Sequence, residues 1–184
     1  LFTVVEGYEE HPVVEIYHWA AVDFCQSIGM MLPTEAQWEK AARGTDGRTY
    51  PWGEAEPNCD MANYWPRNSN GLPAERCVDD TLPQDALEAG QSPYGIFNMA
   101  GNVSEWTNDY FQADHYDIAS DSNPGGPESG WHVDPQHPDG FEAIVSRGGS
   151  LGTGSGSLRT FHRSAEPIEA TSNGVGFRCV FEPR

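Results

Sequence analysis

The sequence predicts an α+β domain in which two helices pack on small antiparallel strands amid much irregular loop. Three observations lead there. Helical periodicity is confined to residues 18–44, β-prone runs stand apart at 12–17, 143–147 and 174–180, and 20 Gly and 14 Pro interrupt the rest.

The elements follow in chain order. Residues 12–17 are apolar and β-prone with alternation, and Pro12 opens them, which predicts a strand. Over residues 18–29, Ala21, Phe24, Cys25 and Ile28 recur at helical spacing, and Gly29 supplies the stop. Leu32-Pro33-Thr34-Glu35-Ala36-Gln37 reads as a helix start. Thr34 is placed to cap it and Gln37, three residues on, to complete a capping box. Trp38, Ala41 and Ala42 then form the buried face, and Gly44 ends the helix. Tyr50-Pro51-Trp52-Gly53 is a tight aromatic turn. Residues 54–92 form a long acidic loop that contains Cys59 and Cys77, and loops of this length are usually functional or pinned by a crosslink or metal. Residues 107–140 read as a second long loop, rich in Asp, Gly and Pro, before strands return at 143–147 and 174–180. With no internal repeat and no linker, residues 1–184 read as a single domain.

Composition narrows the function classes. The net charge is −18, from 28 acidic against 10 basic residues. That balance argues against a nucleic-acid partner, whose phosphates are neutralised by Lys and Arg. It suits cation binding or an exposed compartment, although most of these charges are expected simply to be solvated. No apolar run approaches the roughly 18 residues of a membrane span. The chain opens at Leu1 without an initiator Met, from which a processed or trimmed N-terminus is expected.

The most informative stretch is Gly95-Ile96-Phe97-Asn98-Met99-Ala100-Gly101-Asn102-Val103-Ser104-Glu105-Trp106. It gathers Asn98, Gly101, Asn102 and Glu105 between bulky apolar residues. Closely spaced oxygen donors suit a hard cation, Ca²⁺ above all; the competing reading has Asn98 and Glu105 capping turns. The four cysteines, Cys25, Cys59, Cys77 and Cys179, fit two disulfides and an oxidising compartment, since no Cys-x-x-Cys pair argues for zinc. His115, His132 and His137 fall in the second long loop at spacings that match no metal motif.

Several blocks occur together in one order. They are Leu32-Pro33-Thr34-Glu35-Ala36-Gln37-Trp38-Glu39, Tyr50-Pro51-Trp52-Gly53, Ala62-Asn63, Ser92-Pro93-Tyr94-Gly95, Gly101-Asn102-Val103, Glu105-Trp106, Asn123-Pro124, Gly126-Pro127, Arg147-Gly148-Gly149-Ser150 and Gly176-Phe177-Arg178. In this order they resemble the formylglycine-generating-enzyme, or sulfatase-modifying-factor, family over residues 11–181. The resemblance implies a variant of the C-type lectin fold. It also implies that the family's opening segment is absent here or supplied by a partner subunit.

The resemblance carries site expectations. A calcium site would use Asn98 and Glu105 through side chains and Gly101 and Val103 through carbonyls. A second calcium site would use Asn63, the carbonyl of Tyr64 and either Asp79 or Asp80, at a spacing that departs from the family pattern. Family members carry a disulfide at positions corresponding to Cys25 and Cys179, and Cys59 is expected to pair with Cys77 and close the long loop after Trp52.

Formylglycine-generating enzymes oxidise a substrate cysteine with O₂, using two cysteines just after the Gly-Gly-Ser block to hold copper. Here the segment Ser150-Leu151-Gly152-Thr153-Gly154-Ser155-Gly156-Ser157-Leu158-Arg159 has no Cys, so no catalytic residue carries over and no copper is expected. Ser150, Arg147, Arg159 and Arg163 are candidates to line a remnant ligand cleft, the alternative being that the arginines pair with the protein's own carboxylates. The expected function is a calcium-stabilised, non-catalytic module outside the cytoplasm — periplasmic, secreted or on the cell surface — that binds a protein or glycan or serves as a subunit of an assembly. The alternative is a diverged oxidative maturation enzyme of the same family.

Overall fold

The computed structural model describes residues 4–68, 70–120, 122 and 124–181; Leu1 and Asn123, named above, lie outside them. Helix α1 (His18–Ser27) turns His18, Ala21 and Cys25 to the core. That stripe follows the three- and four-residue spacing of one helix face. Two expected core residues lie off it: Phe24 sits at the edge, its ring 5.5 Å from that of Phe177, and Ile28 is the exposed C-cap.

Helix α2 (Glu35–Arg43) begins on the expected capping box. Thr34 Oγ1 accepts from Gln37 N at 3.2 Å, and Thr34 N donates to Gln37 Oε1 at 2.9 Å. Two otherwise orphaned N–H groups are thereby satisfied. Trp38 and Ala42 are buried, Ala41 only partly, and Gly44 leaves the helix at φ 72°.

The strands are β1 (Ser104–Tyr110), β2 (Trp131–Asp134), β3 (His137–Arg147), β4 (Ser164–Pro167) and β5 (Val175–Phe177), with a short α3 (His115–Ile118) between β1 and β2. They run in the order β2-β3-β1-β5, with β4 also paired to β3. The sheet is mixed. β3 is antiparallel to β1, β2 and β4, whereas β1 and β5 are parallel, which corrects the all-antiparallel expectation. Register places Glu105 opposite Arg147 and Gly176, and Trp106 opposite Ser146 and Phe177.

Two further sequence expectations change. Residues 12–17 form no strand, because Glu15 sits at φ 55° and breaks the extended run. The segment still packs against β5, close enough that a Cβ on Gly176 would lie 2.6 Å from the Val13 carbonyl. The supposed loop of 107–140 contains most of β1, α3, β2 and the start of β3. β1 escaped detection because, apart from Trp106, its buried side chains are polar: Ser104, Glu105, Thr107 and Asp109. Among the described residues of 54–92, regular structure is limited to a 3₁₀ turn at Glu88–Gly90 and an isolated bridge between Arg67 and Pro73, as expected of a loop.

The core is built on Trp106 and Ile144 of the sheet with Ile16, Ala21, Cys25 and Leu32. A second cluster joins Tyr50, Ala62, Tyr64, Ala100 and Leu158. Disulfides Cys25–Cys179 and Cys59–Cys77 tie α1 to the chain after β5 and close the long loop.

Candidate functional site

The glycine loop runs directly into β1. Asn98 and Asn102 adopt φ 54° and 64°, and Gly101 lies at φ 76°, so the loop turns back on itself before the strand begins. Gly101 admits no side chain: a Cβ there would stand 2.5 Å from the Asn63 carbonyl. Asn102 is structural. Its side chain accepts from Leu82 N at 2.8 Å and donates to Leu82 O at 3.0 Å, pinning the acidic loop.

Glu105, the first charged residue of β1, is nearly buried. Its carboxylate accepts from Trp38 Nε1 at 2.6 Å, from Arg178 Nε at 2.6 Å and from Arg178 Nη2 at 2.5 Å. Burial alone would lower the Arg178 pKa, but the Glu105 charge and hydrogen bonds outweigh it and hold the guanidinium protonated. Arg178 also donates to Phe97 O at 3.2 Å, so the pair clamps the glycine loop to the chain end beyond β5.

A cavity of about 580 Å³ opens beside this clamp, its wall formed in part by Glu9, Glu10, Asp85, Asn98, Glu105 and Arg178. Val103 lines it as well. The Asn98 amide nitrogen is spent on Pro83 O and Gln84 O, at 3.3 and 3.0 Å. A carboxylate offers about four lone-pair positions, of which Glu105 uses three. By donor type the set therefore fits Ca²⁺, with Arg178 a competing countercharge on the same carboxylate. Among the described residues no three His, Cys, Asp or Glu side chains converge as a metal cluster, so a cation here would depend on amide and main-chain oxygens.

The weaker calcium set is differently used. Asn63 Nδ2 donates to Asp80 O at 2.8 Å, Asn63 Oδ1 accepts from Val78 N at 3.2 Å, and Tyr64 O accepts from Cys77 N at 3.2 Å. These bonds fasten the 77–80 segment directly. Asp80 accepts from the Tyr8 hydroxyl and from Thr81 N, and Asp79 is exposed, 3.8 Å from Arg76. Asn63, Tyr64 and Asp80 are thus brought together, with backbone donors on the oxygens a cation would need.

For Arg147 and Arg163 the structure shows the alternative to a ligand cleft, pairing with the protein's own carboxylates. Arg147 and Arg163 converge on the buried Glu35, Arg147 Nη1 at 3.1 Å and Arg163 Nε at 2.6 Å, both on Oε1. Arg147 also binds Glu39 at 2.7 Å and Thr160 O at 2.6 Å, with its guanidinium 5.3 Å from the Trp38 ring. Both arginines are engaged inside the fold. Ser150 is buried, its N–H donating to Thr153 Oγ1 at 2.9 Å, and Arg159 is exposed; neither hydrogen-bonds to that cluster. Beside it, burial first, then Arg147 and Arg159, hold the His162 pKa below its ordinary value. Asp109 accepts from Glu35 N at 2.6 Å, and burial raises its pKa.

The sequence reading missed Arg178 as the partner of Glu105, placing it only in the Gly176-Phe177-Arg178 block of the expected strand at 174–180. The Gly-Phe-Arg block marked the residue, but nothing local linked it to Glu105, 73 positions away.

The sulfatase-modifying factor enzyme 1-like domain matches residues 3–183. Serine/threonine-protein kinase pkn1 of Chlamydia pneumoniae is 34% identical over 175 residues, covering 95% of this chain and 24% of that protein. The formylglycine-generating enzyme of Mus musculus is 33% identical over 180 residues, covering 92% of this chain and 44% of that enzyme. The chain therefore spans less than half the length of either relative. Among solved structures, Treponema denticola variable protein 1 shares the fold, with a TM-score of 0.71 at 21% identity over 98% of this chain and 74% of that one.

Proposed function

The chain belongs to the sulfatase-modifying factor enzyme 1-like family, and from that premise we propose a non-catalytic, calcium-stabilised module that binds a protein or glycan outside the cytoplasm. One observation carries the reading. All four cysteines of the chain are spent in two disulfides, and none lies between Ser150 and Arg163. Copper chemistry of the family's kind needs thiolate ligands. The corresponding segment here offers hydroxyls in place of thiols, with Thr153 Oγ1 donating to Ser150 O at 3.0 Å, and a fully buried Leu158.

Calcium would be held by Asn98 Oδ1, the carbonyls of Gly101 and Val103, and Glu105. Bound there, it supplies a positive centre that neutralises Glu105 and the carbonyl dipoles and stiffens the loop entering β1. Acidic residues at the cavity mouth, Glu9, Glu10 and Asp85, favour a cation over an anion. Two disulfides support an oxidising compartment. Among the described residues no helix is long and apolar enough to cross a membrane.

The test is incubation with a Cys-x-Pro-x-Arg peptide, copper and O₂, followed by mass spectrometry for the aldehyde product. No turnover above a copper-only control is expected. Turnover would replace this reading with a diverged oxidase.

A further inference from the structure

Only ten Lys and Arg residues balance 28 acids in this chain, yet three of the ten share one concavity. It measures about 630 Å³ and lies between the C-terminal half of α2, the turn after it, Tyr116 of α3 and Phe161. Lys40, Arg43 and Arg163 line it, with Glu39 the one acid. Glu39 is neutralised twice, by Arg43 at 2.9 Å and by Arg147 at 2.7 Å. Arg163 is engaged by Glu35. One cation of the lining, Lys40, has no ion pair among the described residues. Lys40 is exposed, and Arg43, which donates Nη1 to Glu39 and Nη2 to Gly47 O, adds its positive charge beside it.

The same concavity presents aromatic faces. Phe161 is 45% exposed and Tyr116 is 42% exposed. The Arg43 guanidinium lies 5.7 Å from the Phe161 ring centre and that of Arg163 5.1 Å from Tyr116. Nothing in the lining is shared with the cavity beside Glu105, so this surface is independent of any calcium there.

We propose that this concavity binds a ring-bearing organic anion, its carboxylate or sulfate held by Lys40 and Arg43 and its ring laid against Phe161 and Tyr116. The basic donors select the acid, and the aromatic faces select a flat ring or the apolar face of a sugar. The chemistry fits an acidic sugar or an aromatic acid. The site stands whether or not the chain has lost oxidase chemistry.

The experiment is calorimetry and ligand-observed NMR on the intact chain. The probes are glucuronate and 4-hydroxybenzoate, each against its neutral counterpart, glucose and 4-hydroxybenzamide. At least one acid should bind about tenfold tighter than its neutral analogue. That preference should be lost in Lys40→Gln, and binding should weaken in Phe161→Ala, with melting temperatures confirming that both fold. Binding of glucuronate alone assigns the site to acidic sugars; binding of 4-hydroxybenzoate alone assigns it to aromatic acids. If neither acid binds at millimolar concentration, or if both variants bind as the parent does, the proposal is overturned.

Discussion

Arg178 grips Glu105 with two hydrogen bonds of 2.6 and 2.5 Å, joining the chain segment after β5 to the first turn of β1. Trp38 of α2 adds a third bond to the same carboxylate at 2.6 Å. Three distant parts of the chain therefore meet on one side chain. Their geometry gives Glu105 a structural role that does not depend on a cation.

Glu105→Gln should destabilise the protein by about 3 kcal/mol even in the presence of chelator. The substitution leaves the Arg178 guanidinium facing a neutral amide in a largely buried position. Arg178 is 27% exposed, so water screens part of the loss and the figure belongs at the low end for a buried pair. Chemical denaturation in EDTA measures it. An unchanged midpoint would mean that the pair contributes nothing.

Calcium is tested elsewhere in the loop. Asn98 holds φ 54°, which glycine adopts without strain, so Asn98→Gly removes the amide while sparing the backbone and the Glu105–Arg178 clamp. The parent should gain melting temperature as Ca²⁺ rises, by the mass-action term for a ligand that binds only the native state. Asn98→Gly should lose that gain. A parent whose melting temperature ignores Ca²⁺ would remove calcium from the proposed function.

What was legible in the sequence was local. The α2 start rests on Thr34 and Gln37, three positions apart, and the capping box formed as read. Long-range polar partnerships were not legible. The β1 strand is held by polar side chains whose partners are far away: Thr107 Oγ1 donates to Val145 O, and Asp109 accepts from Glu35 N. Alternation of apolar residues cannot reveal such a strand. The sequence could offer ion pairing of Arg147 and Arg163 as an alternative to a ligand cleft but could not name Glu35 as the partner, at separations of 112 and 128 residues. Of the candidate calcium residues, Asn98, Val103 and Glu105 line one cavity, and spacing gave no sign of the countercharge from Arg178.

Glu35 should prove more sensitive than either arginine's exposed counterparts suggest. It is 1% exposed and neutralises Arg147, which is fully buried. Glu35→Gln should cost about 4 kcal/mol, because it leaves Arg147 with Glu39 alone and Arg163 with carbonyls. Arg163→Ala should cost roughly half as much, since Glu35 keeps Arg147 and the lost side chain was partly solvated. Urea melts of both variants rank them; the reverse order would show that Arg163, not Arg147, is the principal partner.

Glu166 offers a prediction in pH. Burial raises its carboxyl pKa above the ordinary 4.5, and the Ser146 hydroxyl, donating at 3.2 Å, only partly offsets this. The folded state therefore keeps this proton to higher pH than the unfolded chain does. Stability linked to Glu166 is fully present below the unfolded pKa and is lost as pH rises through the folded one. At neutral pH the ionised carboxylate is a cost. Glu166→Gln removes the charge while preserving an acceptor for Ser146, so the variant should melt higher than the parent at neutral pH. Its advantage should shrink on acidification and vanish well below the ordinary carboxyl pKa of 4.5, where both side chains are neutral in both states. The raised pKa of Asp109 is common to both proteins and cancels in the difference. Thermal melts of parent and variant across that range decide the matter: an advantage independent of pH would place the effect in packing, and no advantage at neutral pH would show that water reaches the carboxylate.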